Sequence, residues 1–67
     1  MRVRAIVRLL EDNGWVQVGS RGSHRQFSHP TRSGRVTIAG RDSQEVPVGT
    51  LRSIYRQAGL DRRKRPS

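Results

Sequence analysis

A chain of 67 residues has room for one domain, and a domain of roughly that size hides only about 60% of its unfolded surface. Only 31% of the residues are hydrophobic and 4% aromatic, so nearly every large apolar side chain is needed for the core, which excludes a deep enclosed pocket for a cofactor or small-molecule ligand. Fourteen Lys and Arg against five Asp and Glu give a net charge of +9, and thirteen of those cations are arginine, whose planar fork grips phosphate through paired hydrogen bonds and so points to a nucleic-acid partner.

There is no cysteine, which rules out disulfides and thiolate metal sites and favours an intracellular location. No apolar run is long enough for a signal peptide or a membrane span. A cytoplasmic protein without membrane contact is expected.

Val3, Ile6, Val7 and Leu10 recur at i, i+3, i+4 and i+7, predicting a helix over residues 2–13 with Arg4 and Arg8 facing away from its apolar stripe. Asn13-Gly14 suits the left-handed turn that ends it. Residues 15–18 are β-formers and predict a first strand, with turn chemistry over 19–22. A second strand is expected over 23–29, stopped by Pro30. After a turn at 31–34, residues 35–39 alternate polar and apolar as a half-buried third strand does. Beyond a polar loop at 40–45, Val48, Leu51, Ile54, Tyr55 and Ala58 recur at helical spacing and end at Gly59, giving a second helix over 47–58. Pro47 suits its first position, and Gly49-Thr50 is an alternative start. The domain is expected to fill residues 1–60. Residues 61–67 carry no apolar anchor and are expected to be a disordered basic tail.

The order α-β-β-β-α predicts an α+β fold in which two amphipathic helices stack on one face of a three-stranded antiparallel sheet, leaving the other face open. Strand alternation then sorts the side chains of the second strand. Ser23, Arg25, Phe27 and His29 share one side; His24, Gln26 and Ser28 share the other. With Phe27 in the core, His24 is on the open face, whereas His29 is expected to pack or to cap a turn. Trp15 and Phe27 are expected to be core residues rather than platforms for bases.

RNA carries its own nucleophile, the 2′-hydroxyl, so cleavage needs a base for that proton, an acid for the leaving 5′ oxygen and cations on the phosphorane. Histidine can serve as either base or acid near neutral pH, which makes His24 the candidate catalytic residue. Arg21, Arg25, Ser23 and Gln26 are the candidate phosphate- and RNA-binding residues around it, the arginines stabilising developing charge. No metal site is expected, because Asp42 and Glu45 are the only neighbouring carboxylates and no histidine pairs with them. The glycine-rich stretch 19–23 lacks the Gly-Lys-Ser/Thr ending of a phosphate loop and reads as a turn. From the residues alone two alternatives stay open: a non-catalytic RNA-binding module using basic residues such as Arg52 and Arg56, and an adaptor whose charge meets an acidic protein.

Gly14-Trp15, Gly22-Ser23-His24, Phe27, His29-Pro30, Gly34-Arg35-Val36-Thr37 and Gly49-Thr50-Leu51, followed by Ile54, Gln57, Ala58, Gly59 and Leu60, together resemble the HicA family of bacterial toxins. The resemblance runs from about residue 5 to residue 60. It implies a double-stranded-RNA-binding-like fold and the activity of an mRNA interferase, the toxin of a type II toxin–antitoxin pair, cutting mRNA without needing the ribosome. It also implies that His24, in the Gly-Ser-His motif, is the catalytic histidine, and that a HicB-type antitoxin masks the active surface. The sequence departs from relatives in using arginine where lysine is frequent.

Overall fold

The computed structural model describes residues 1–60, which run α1 (Val3–Asp12), β1 (Val16–Arg21), β2 (His24–Ser28), β3 (Val36–Ala39) and α2 (Val48–Ala58). The basic tail expected at 61–67 lies outside the described residues.

In α1 the spacing of apolar residues does what it predicts, burying Val3, Ile6 and Leu10 and half-burying Val7. The helix stops where Asn13 turns its side-chain amide back to the carbonyl of Leu9, at 2.8 Å, and Gly14 takes φ +91°. In α2, Ile54 and Ala58 are buried. Pro47 stands just before the first helical residue, at φ −57° and ψ 147°. Neither expected start is met: a proline with extended ψ cannot be inside the helix, so the helix begins at Val48. Its end is a Schellman closure, with Gly59 at φ +70° and the amides of Gly59 and Leu60 donating to Arg56 and Tyr55.

The strands form an antiparallel meander in the order β1-β2-β3. The turn after β1 is tighter than the glycine-rich stretch suggests. Arg21 pairs with His24, so only Gly22 and Ser23 connect the strands, and Gly22 takes φ +60° while no non-glycine residue among the described residues has positive φ. That is the type II′ pattern, whose twist matches the flanking strands. Gly19, Ser20 and Arg21 are therefore strand rather than turn, and Ser23 is turn rather than strand. The extra length of β1 is absorbed by a bulge. Gln17 pairs with Phe27 and Gly19 with Gln26, leaving Val18 without a partner.

Phe27, Val36 and Ile38 bring the inner face of the sheet to the helix stripes, and Trp15 and Val46 complete one core. Phe27 is fully buried, and truncating a buried phenylalanine to alanine costs about 3–5 kcal/mol. That approaches the whole stability of a small domain, about 0.05–0.15 kcal/mol per residue. Both helices thus cover one face of the sheet, over β3 and the inner side of β2. β1 extends beyond them, with Val16 58% and Val18 52% exposed.

Candidate nucleic-acid interface

Residues directly opposite one another in antiparallel strands share a face and stand close together. Arg21, His24 and Ala39 form one row across the sheet; Gly19, Gln26 and Thr37 form the next. Ala39 and Thr37 are exposed while their neighbours Val36 and Ile38 are buried, so both rows lie on the open face. His24 is exposed there, and no side-chain hydrogen bond engages its ring among the described residues. None of the three strands contains a carboxylate. The field around His24 is set by Arg21 beside it and by Arg35, whose Nη1 donates to Gln26 Oε1 at 3.1 Å.

Arg35 joins the site although only its strand, and not its role, is foreseen in the sequence. The signal was present, since a residue one step before the buried Val36 points outward with Thr37. Ser23 lies at the hairpin tip next to His24, exposed, its carbonyl accepting from the Gly40 amide at 3.2 Å. Arg25 does not join them. It pairs with Ile38 on the inner face, its side chain is 24% exposed, and Nη2 donates to Asp42 Oδ1. The structure thus gathers Arg21, His24 and Gln26 on one face, leaves Ser23 at the adjoining hairpin tip, and sends Arg25 to the other face.

His29 has a different task. The backbone N–H of Thr31 donates to Nδ1 at 3.1 Å, which leaves Nε2 as the ring donor, 2.9 Å from the carbonyl of Asn13. The ring also meets Trp15 edge-on, with centroids 5.2 Å apart. His29 therefore ties the loop after β2 to the end of α1, as a turn-capping histidine does. Gly14 is fitted to it, for a Cβ there would lie 2.7 Å from Nε2. Trp15 and Phe27 are buried and are packing residues.

Among the described residues no three His, Cys, Asp or Glu side chains cluster, and no helix is long and apolar enough to cross a membrane. Across residues 3–60, which hold all five elements and the Gly22-Ser23-His24 turn, the chain matches the HicA_toxin family model, described as the HicA toxin of bacterial toxin-antitoxin. The chain belongs to the HicA toxin family. No curated protein matches it. This HicA-family chain is the toxin half of a toxin–antitoxin pair, with an antitoxin as its partner.

Proposed function

We propose that this toxin is an endoribonuclease, an mRNA interferase acting in the bacterial cytoplasm without a metal ion or the ribosome. The observation that carries the proposal is an exposed, unengaged histidine opposite an arginine on a sheet face free of carboxylates. A phosphodiester drawn to Arg21 and Arg35 comes to lie across His24. His24 then acts as general acid or base. In the base role it takes the proton of the ribose 2′-hydroxyl, the 2′ oxygen bonds to phosphorus, and the bond from phosphorus to the 5′ oxygen breaks. The departing oxygen gains a proton, and the strand ends in a 2′,3′-cyclic phosphate. Arg21 faces the charge that builds on the phosphorane, where a fixed cation does most for the rate, and Ser23 and Gln26 offer hydrogen bonds to the backbone. A HicB-type antitoxin, by covering the open face, would shut the reaction off.

The test is cleavage of single-stranded RNA by the purified protein in EDTA. Cutting is expected for the wild-type chain and none above background for His24→Ala, with RNA binding nearly intact. Equal cutting by the variant removes His24 from the mechanism. Binding without cutting by the wild-type chain replaces the enzyme with an RNA-binding module.

A further inference from the structure

A second cationic surface lies on the other side of the sheet. An open cleft of about 510 Å³ runs between α1 and the inner side of β2, lined by Ala5 and Val7, by Arg4, Arg8 and Arg25, and by Asp42 beside Arg25. Arg4 and Arg8 stand one helical turn apart on the same side of α1. Both are exposed, and neither has a carboxylate within 4.0 Å among the described residues. Arg25 reaches the cleft because its strand position sends it inward. Asp42 engages one nitrogen of the guanidinium, which leaves other N–H donors of the fork for a second acceptor. Glu11 lies at the far end, one turn past Arg8, and repels phosphate there.

The cleft and the open face are close along the chain. His24 and Arg25 are consecutive, with Cα atoms about 3.8 Å apart, and only the Gly22-Ser23 tip and the uncovered end of β1 separate the two surfaces. Next to Arg25 on the inner face is Ser20, small and exposed. No bulky side chain stands in the way round the hairpin, and the one carboxylate beside it, Asp42, is paired with Arg25.

We propose that this cleft is a second phosphate-binding subsite for the same RNA strand. The strand that crosses His24 rounds the hairpin tip and continues along α1, where Arg25, Arg4 and Arg8 take successive backbone phosphates until Glu11 closes the track. The inference rests on the RNA-cleavage reading. It gives Arg25 an RNA contact from the side opposite to His24, and it gives a role to two α1 arginines that have no carboxylate partner among the described residues.

The experiment compares Arg4→Ala/Arg8→Ala with the parent chain, both carrying His24→Ala so that RNA stays intact. On a single-stranded RNA of about 20 nucleotides, losing two phosphate contacts lowers the slope of log K against log salt by about 1.4. Arg4→Lys/Arg8→Lys keeps most of that slope. With His24 present, the double alanine variant cuts a dinucleotide at the parental rate and the long RNA more slowly below saturation. An unchanged slope overturns the subsite while leaving the open face as the RNA site. An unchanged slope together with weaker binding of the antitoxin gives the cleft to an acidic protein segment instead. A parent chain whose RNA binding ignores salt overturns the RNA reading itself.

Discussion

The two ends of β2 carry the two histidines of this toxin, and their surroundings differ completely. At the start of the strand His24 is exposed beside Arg21, with its ring unengaged among the described residues. Just past the other end, His29 is held by Thr31 and Asn13 and packed edge-on against Trp15. Five residues apart, one imidazole is free to meet a ligand and the other is committed to holding the chain together. A side chain with both ring nitrogens bonded to backbone is fixed in one orientation, whereas an unengaged one is free to turn toward a ligand.

This contrast makes the two histidines separable by experiment, and His24→Ala gives the largest expected effect. RNA cleavage falls by about 10²–10⁴-fold, the range of a lost acid–base group, while the melting temperature stays where it was. A melting temperature that drops with activity would show His24 to be structural after all. Gly14→Ala attacks the other end. The new Cβ meets His29 Nε2 at a backbone φ of +91°, and the strained conformation alone costs about 1–3 kcal/mol. Such a loss lowers the melting temperature by about 4–8 °C per kcal/mol in a domain this small, and calorimetry reads it directly. His29→Ala costs about 1–3 kcal/mol through the unmade bonds to Asn13 and Thr31, with cleavage per folded molecule preserved. Because the clash at Gly14 needs the imidazole, the double variant costs less than the sum of the two. Strict additivity would break the pairing. Arg35→Ala is the mildest. It leaves the melting temperature unchanged and lowers the salt slope of RNA binding by about 0.7, one phosphate contact on a single strand.

Much of this arrangement is legible in the residues before any coordinates. The apolar spacing of α1 and the left-handed glycine after α2 decide those helices locally, and the alternation in β2 decides that His24 faces out once Phe27 faces in. The same alternation puts Arg25 inward with Phe27, so its grouping with His24 ignored parity in favour of nearness along the chain. Arg35 is recoverable by the same rule from the buried Val36. Three features are not local and leave no signal of that kind. The bulge at Val18 depends on how β1 registers against β2, the Arg25–Asp42 pair depends on where the 40–45 loop lies, and the bond from His29 to Asn13 joins positions 16 residues apart. The tight hairpin is an intermediate case, since Gly22 supplies the required φ but Gly19 and Ser20 before it compete for the turn.

The uncovered edge of β1 has a consequence for the protein in bulk solution. Val16 and Val18 stand exposed on a strand whose outer backbone groups have no neighbouring strand among the described residues, a surface that invites strands of other molecules. The bulge at Val18 interrupts that template, and the charge of +9 keeps copies apart. Colloidal stability thus depends on long-range repulsion, which salt shortens to about 8 Å at physiological ionic strength. A polyanion or an acidic partner that neutralises the arginines removes the same protection, so the charge proposed to draw in RNA is also what holds copies apart.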